Sequence, residues 1–150
     1  MTDVHNSATR SRNMAAIRGA DTKPEILVRK ALHSLGFRYR IHVRELPGKP
    51  DLVLPRYRAV IFVHGCFWHR HDCHLFKWPA TRPEFWQQKL DRNVANDDRA
   101  QLVLRGIDWR VATVWECALR GRTKRNFDQA IQELAHWIRS EEKVLEIKGL

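Results

Sequence analysis

The spacing of apolar residues along the chain predicts three helices. Apolar positions recur at helical spacing over residues 24–35 and 84–105, and a glycine, Gly36 or Gly106, follows each stretch. A third helical period covers residues 127–138. The residues that define these periods are Val28, Ala31, Leu32 and Leu35; Trp86, Leu90 and Val94; and Phe127, Ile131, Leu134 and Ile138.

Short apolar runs without helical spacing predict extended segments. Three of them, at 37–43, 51–54 and 58–63, follow the first helix and are separated by proline-containing turns. A fourth, at 110–115, is β-branched and apolar and therefore predicts a buried strand. The order of helix, three strands, helix, strand and helix predicts an α/β fold, with one central mixed sheet flanked by helices.

The length of the chain predicts one domain, because 150 residues can bury an ordinary hydrophobic core. We assign this domain to residues 21–150. Residues 1–20 carry three arginines and few large apolar groups, which predicts a flexible basic arm that orders on a polyanion. The alternative for this segment is an ordinary frayed terminus.

The cellular location is predicted from the absence of secretion and membrane signals in the sequence. The first residues have no apolar core of a secretory signal, and no apolar stretch is long enough for a membrane helix. We therefore expect a cytoplasmic protein without a membrane partner. Three cysteines, an odd number, fit a reducing compartment and argue against a disulfide framework.

The charge balance points to a partner. The chain has 27 Lys and Arg residues against 17 Asp and Glu, a net charge of +10. Such an excess gains most by neutralising phosphates and releasing their counterions, so nucleic acid is the leading candidate. The alternatives are a basic protein that is merely soluble, or one that meets an acidic protein or a membrane surface.

Metal-ligand chemistry is concentrated in the long loop at 65–83, between the third extended run and the second long helix. Cys66, His71 and Cys73 offer the sulfur and imidazole donors that suit tetrahedral zinc. Cys117, just after the buried strand, can return to the loop and complete the set. Two alternatives remain at this point: His69 or His74 replaces His71, or the cysteines are simply buried free thiols.

A candidate catalytic carboxylate, Asp51, opens an extended run directly after a proline. At the edge of a sheet it could bind a hard cation such as magnesium through oxygen. The alternative is ordinary turn chemistry. The sequence leaves open whether His64 and His69, which follow the neighbouring run, bend back far enough to reach it.

Several motifs together resemble the very-short-patch repair endonucleases of bacteria. The resemblance begins with His5, Ala-Thr-Arg-Ser and Asn13-Met14, and spans essentially the whole chain to about residue 122. The motifs that carry it are Pro-Gly-Lys-Pro-Asp at 47–51, Val-Ile-Phe-Val-His-Gly-Cys-Phe-Trp-His at 60–69, Pro-Ala-Thr-Arg at 79–82 and Val-Trp-Glu-Cys-Ala-Leu-Arg-Gly at 114–121.

The resemblance implies a restriction-endonuclease-like fold and a strand-specific endonuclease. Such an enzyme uses magnesium to nick 5′ to the thymine of a T:G mismatch left by deamination of 5-methylcytosine. It also implies a monomer, with mismatch-repair proteins and a cognate cytosine methyltransferase as candidate partners. The usual second acidic residue and lysine of such nucleases are absent, and Phe62 and His64 stand where they would fall.

The resemblance also implies roles for individual residues. Asp51 would be the central magnesium ligand, helped by the backbone carbonyl of Val63, where a relative has threonine. His69 would be the general base, since its ordinary pKa near 6.5 suits proton transfer at neutral pH. His64 would position the scissile phosphate. Glu25 would be a second acidic partner, or only part of the capping box formed by Thr-Lys-Pro-Glu at 22–25.

Aromatic residues complete the predicted DNA-binding site. Phe67 and Trp68 lie between metal ligands, and Trp86 begins the next helix, so these rings could wedge into a base step beside the mismatch. Met14 would enter from the minor groove, while core packing is the alternative for Trp86. Two rival functions remain open: a non-catalytic, zinc-stabilised module that binds distorted DNA, and an RNA-binding protein of ribosomal type.

Overall fold

The structure, a computed structural model, describes residues 22–150. The predicted arm and Met14 therefore lie outside the described residues. The helices are α1 (Lys23–Ser34), α2 (Pro83–Gly106), α3 (Glu116–Leu119) and α4 (Phe127–Arg139), and the strands are β1 (Leu52–Leu54), β2 (Ala59–His64), β3 (Arg110–Trp115) and β4 (Val144–Ile147).

The strands described form one mixed sheet in the order β1-β2-β3-β4. β1 pairs antiparallel with β2, whereas β2, β3 and β4 run parallel. Parallel neighbours need a crossover connection, which α2 supplies between β2 and β3. The predicted mixed sheet flanked by helices is confirmed, and the restriction-endonuclease-like topology stays a prediction. Between residues 22 and 150, no helix has the length and apolar character that crossing a membrane requires.

Alternation along the strands divides the core into two layers, because successive side chains point to opposite faces of a sheet. One face packs against α1 and α4, and the other packs against Leu104 of α2. This alternation decides which side chains face α2 at the ends of the strands. The strand residues of the first face are Leu52, Leu54, Ala59, Ile61, Val63, Ala112, Val114 and Ile147; those of the second are Val53, Val60, Phe62 and Val111.

The predicted strand at 37–43 is wrong. Only Arg40 pairs there, through an isolated antiparallel bridge to Val53. His42 has a φ of 57°, a left-handed conformation that interrupts extended pairing. Phe37 and Val43 are nevertheless buried, so the apolar signal marked core contacts and not a regular strand.

β4, a parallel strand at the edge of the sheet beside β3, was not predicted from the sequence. Val144 is exposed and Ile147 is buried, so the strand has only a short apolar pattern. Its position depends on parallel pairing with β3, a contact between segments far apart in sequence. The four-residue helix α3, directly after β3, was also missed.

Candidate active site and metal centre

The parallel register of β2 and β3 builds the cysteine-rich part of the site. His64 pairs with Trp115 at the ends of these strands. Cys66 and Cys117 each follow two residues later, and the backbone N–H of Cys117 donates to Sγ of Cys66 at 3.3 Å. The two cysteines meet because their strands end side by side.

Four side chains converge there into one cluster. Nδ1 of His71 lies 3.6 Å from Sγ of Cys66 and 3.5 Å from Sγ of Cys117. With Cys73, their ligand atoms all lie within 4.8 Å of one another, so the cluster can hold a metal ion. Burial raises the pKa of the Cys66 and Cys117 thiols, and a bound cation would offset that penalty on the thiolates.

Neighbouring groups fix the cluster and separate His71 from the other candidate histidines. The His71 ring stacks on Trp115, with centroids 4.0 Å apart and planes at 10°. His74 instead has Nδ1 3.4 Å from the hydroxyl of Thr123, which donates to the carbonyl of Cys117 at 3.1 Å. The remaining candidate, His69, contacts Asp97 of α2 instead. The sequence left three histidines as alternative metal ligands, and the structure brings His71 to the cysteines.

Asp51 lies at the edge where β1 begins and β2 ends. The antiparallel pairing of Leu52 with Ile61 brings the start of β1 beside the end of β2, so the chain does not need to bend back. The backbone N–H of Val63 donates to Oδ2 of Asp51 at 2.6 Å. Asp51 is therefore adjacent to the residue that precedes His64.

A second carboxylate, Glu25 of α1, lies beside Asp51. Glu25 is only 2% exposed, and it pairs with Arg29 at 3.0 Å. Burial and the neighbouring Glu25 raise the pKa of Asp51 from 3.8 to about 8, although the Val63 amide opposes the shift. Thr22 does not cap the helix with its side chain; its hydroxyl donates to Glu25 Oε1 at 3.1 Å. The expected capping bond from this threonine is therefore absent.

Two histidines and an aspartate form a group on the α2 side of the sheet. The rings of His64 and His69 stack with centroids 3.7 Å apart and planes at 7°. Nδ1 of His69 lies 2.5 Å from Oδ2 of Asp97 on α2. Burial, reinforced by His69 and His71, lowers the pKa of His64 well below 6.5, which keeps that ring neutral at neutral pH.

Asp97 was not predicted from the sequence as a site residue. It belongs to a set of α2 side chains that bind three consecutive residues of the loop: Asn93 donates to the Trp68 carbonyl at 3.0 Å, Asp97 contacts His69, and Asp91 pairs with Arg70. The sequence feature that could have indicated Asp97 was its i, i+4 spacing from Asn93 among the polar residues of a long helix. That spacing defines a helix face but does not identify what it contacts.

The aromatic residues that were predicted to insert into a base step, Phe67, Trp68 and Trp86, pack against one another. The ring centroids of Phe67 and Trp68 are 5.2 Å apart, and Trp86 lies 5.4 Å from Phe67 and 5.9 Å from Trp68. All three residues are half-buried. This arrangement gathers the three rings into one cluster: Phe67 and Trp68 come from the loop that carries His69, and Trp86 comes from the first turn of α2.

Known proteins are similar to this chain over most of its length. A family profile described as DNA mismatch endonuclease Vsr matches residues 2–75. The DNA mismatch endonuclease Vsr of Escherichia coli (strain K12) is 50% identical over 138 residues, which cover 92% of this chain and 88% of that protein. The type II nicking enzyme V.XorIIP of Xanthomonas oryzae pv. oryzae is 45% identical, with 79% and 88% covered. V.NmeAIP of Neisseria meningitidis serogroup A, also a type II nicking enzyme, is 38% identical, with 89% and 97% covered.

These relatives identify the chain as an enzyme that cuts DNA. The chain belongs to the Vsr family of DNA mismatch endonucleases. The predicted family and enzyme class are thereby confirmed. The two non-catalytic alternatives, a module for distorted DNA and a ribosomal RNA-binding protein, lose their support.

Proposed function

We propose that this protein is a magnesium-dependent endonuclease that nicks DNA 5′ to the thymine of T:G mismatches and so starts very-short-patch repair of deaminated 5-methylcytosine. One observation carries the proposal: a carboxylate pair, the half-buried Asp51 and the buried Glu25, lies beside the end of β2 at His64, the strand end from which the chain continues to His69. The relatives named for mismatch cleavage and for nicking support it. The sheet order also suits the predicted restriction-endonuclease-like fold.

The oxygen donors at Asp51 fit magnesium, which prefers carboxylate and carbonyl ligands. The N–H and C=O of one strand residue point towards the same neighbouring strand, so the carbonyl of Val63 faces the edge to which its amide donates. Two carboxylates in contact, one of them buried, also need a cation when both are ionised. When bound, magnesium supplies positive charge that stabilises the transition state of phosphodiester cleavage.

His69 is the proposed general base. Because its Nδ1 contacts Asp97, Nε2 is the ring nitrogen left to take a proton from the attacking water. Asp97 then orients the ring, fixes its tautomer and stabilises the imidazolium that forms, the role a carboxylate has behind a catalytic histidine. Stacking on the neutral ring of His64 adds no competing charge beside His69.

His64 is proposed to position the scissile phosphate, and Glu25 to act as the second acidic partner of Asp51. Its lowered pKa leaves His64 neutral, so the ring would contact a phosphate oxygen through an N–H hydrogen bond and not as a fixed positive charge. Glu25 is held by Arg29 in the orientation that faces Asp51.

The Cys66, His71, Cys73 and Cys117 cluster is proposed to hold structural zinc. A tetrahedral zinc with bonds of about 2.3 Å to sulfur and 2.0–2.1 Å to nitrogen separates those ligands by about 3.6 Å. The two sulfur-to-nitrogen separations, 3.6 and 3.5 Å, fit this value. A fully protein-ligated ion would tie the loop to the ends of β2 and β3, and so fix the position of His69.

Phe67, Trp68 and Trp86 are proposed to insert beside the mismatch, where weak pairing lowers the cost of unstacking. Being half-buried against one another, the rings would enter DNA as one preformed wedge. The predicted basic arm with Met14, acting from the minor groove, belongs to the same proposal. We propose a monomer that works in the bacterial cytoplasm, with mismatch-repair proteins and a cytosine methyltransferase as functional partners.

Labelled duplexes test the proposed function directly. T:G and C:G duplexes of one sequence are incubated with the protein in magnesium buffer and in magnesium-free buffer. We expect one nick, immediately 5′ to the mismatched thymine, only in the T:G duplex with magnesium. Equal cutting of both duplexes would contradict the specificity, and cutting without magnesium would contradict the metal assignment.

A further inference from the structure

The aromatic cluster of the proposed wedge extends further than the wedge itself. Phe76 lies 6.0 Å from Phe67, and Trp78 lies 5.1 Å from Phe76. At the other end, Phe85 lies 5.2 Å from Trp86. The rings therefore form one continuous series whose two ends reach the surface.

The two end rings are the most exposed of the series. Trp78 is 51% exposed and Phe85 is 42% exposed, whereas the three wedge rings and Phe76 are half-buried. A single exposed apolar residue is ordinary, but two exposed rings joined through one aromatic cluster form a patch of the kind that marks a binding surface. Stacking on a nucleobase requires a ring that is at least partly exposed, as both of these are.

Positively charged side chains surround these rings, which suits a polyanion as the ligand. The guanidinium of Arg82 lies over the Phe85 ring at 4.3 Å from its centroid, and Arg82 is itself exposed. Lys77, next to Trp78, is exposed as well, while Glu84 is the acidic residue in the first turn of α2. Exposed aromatic rings combined with cationic side chains are the combination that binds nucleotides by stacking and by phosphate contact.

We propose that Trp78 and Phe85 form a second stacking surface, which contacts nucleotides that flank the mismatch, while Lys77 and Arg82 bind the adjacent phosphates. The inference rests on the proposed function in taking mismatched duplex DNA as the ligand. It adds contacts outside the wedge of Phe67, Trp68 and Trp86. Flanking nucleotides would then contribute to affinity.

Binding of a T:G duplex by four variants tests this surface. Loss of a stacking ring should weaken binding about 5- to 150-fold, so we expect this for Trp78→Ala and Phe85→Ala. Trp78→Phe should restore most of the affinity. Leu102→Ala is the matched control, because Leu102 is an exposed apolar residue (69%) near the other end of α2 and should bind normally. Zinc content and melting temperature, measured for every variant, separate lost contacts from lost folding.

The phosphate contact is tested by salt dependence. Arg82→Gln should reduce the slope of log affinity against log salt concentration by about 0.9. Trp78→Ala should leave that slope unchanged, because stacking releases no counterions. Equal slopes for Arg82→Gln and the wild type would overturn the role of Arg82.

The stacked nucleotide is located by fluorescence. 2-Aminopurine is placed at each flanking position in turn, and its quenching is measured at saturating protein. We expect quenching at one or two flanking positions, lost in Trp78→Ala or Phe85→Ala and retained in Leu102→Ala. Unchanged quenching together with unchanged affinity in both ring variants overturns the inference.

These outcomes differ from failure of the proposed function. If the wild type nicks T:G duplexes while Trp78→Ala and Phe85→Ala bind normally, only the second stacking surface is wrong. If the wild type does not nick T:G duplexes but the ring variants lose affinity and quenching, the surface stands and the assigned reaction is wrong.

Discussion

Nδ1 of His69 lies 2.5 Å from Oδ2 of Asp97, which joins the cysteine-rich loop to the long helix α2. The contact fixes the orientation of a ring that is already stacked on His64. Asn93, on the same helix, binds the carbonyl of Trp68, the residue before His69. The proposed base and the proposed wedge are therefore held by one helix, and displacement of either would affect the other.

Replacement of Asp97 should impair cleavage without impairing binding. Asp97→Asn retains the size of the side chain but removes the charge that stabilises a protonated His69. We expect single-turnover nicking to slow by about 10²-fold, within the range of general acid–base effects, with the Kd for T:G duplex unchanged. Since both residues act as one unit, the double variant Asp97→Asn/His69→Ala should be no slower than His69→Ala alone. If the rate losses of the two single variants multiply in the double variant, the proposal that Asp97 and His69 act as one unit is contradicted.

Asp51 should make stability depend on pH in magnesium-free buffer. Its pKa is raised on folding from 3.8 to about 8, so the folded state binds the proton more tightly than the unfolded state. Its stabilising contribution is full below pH 3.8 and is lost as the pH rises through about 8. Urea unfolding between pH 5 and about 8 should show a steeper decline for the wild type than for Asp51→Asn. Asp98→Asn, at an exposed position of α2, is the control and should follow the wild type.

The same residue should separate cutting from binding. Asp51→Ala is expected to abolish nicking while the Kd for T:G duplex changes little, because one carboxylate near phosphate adds little to affinity. Trp68→Ala should instead weaken binding, with stacking losses of about 1–3 kcal/mol per ring as the scale. Fluorescence anisotropy gives the affinities, and gel assays give the nicking rates. Equal damage to both properties in both variants would contradict the division of roles.

Removal of a cysteine ligand should release zinc and destabilise the fold. Loss of a structural metal removes folding free energy directly, so Cys73→Ala and Cys117→Ser should melt about 10 °C or more below the wild type. Elemental analysis should find one zinc per wild-type chain and none in these variants. His74→Ala is the control and should retain the metal, since His74 contacts Thr123 and lies outside the cluster. Wild-type protein without stoichiometric zinc would contradict the assignment.

The sequence by itself determined the elements whose signal is local. Helical spacing predicted the helices later found as α1, α2 and α4, and short apolar runs without helical spacing predicted β1, β2 and β3. The excess of positive charge predicted nucleic acid as the partner, and the motifs indicated the family. Cys66, Cys73 and Cys117 could be selected as metal ligands because their residue type is rare and chemically specific.

Only the tertiary structure decided which side chains meet. Parallel pairing of β2 with β3 brought Cys66 to Cys117, and the fold of the loop, in which the His71 amide donates to the Cys66 carbonyl, brought His71 to the cysteines in place of His69 or His74. Antiparallel pairing of β1 with β2 brought Asp51 to the amide of Val63, and the packing of α2 on the loop supplied Asp97. The physical reason is that periodicity records which face of an element is apolar, whereas register, burial and the pKa shifts they produce depend on contacts between segments far apart in the chain.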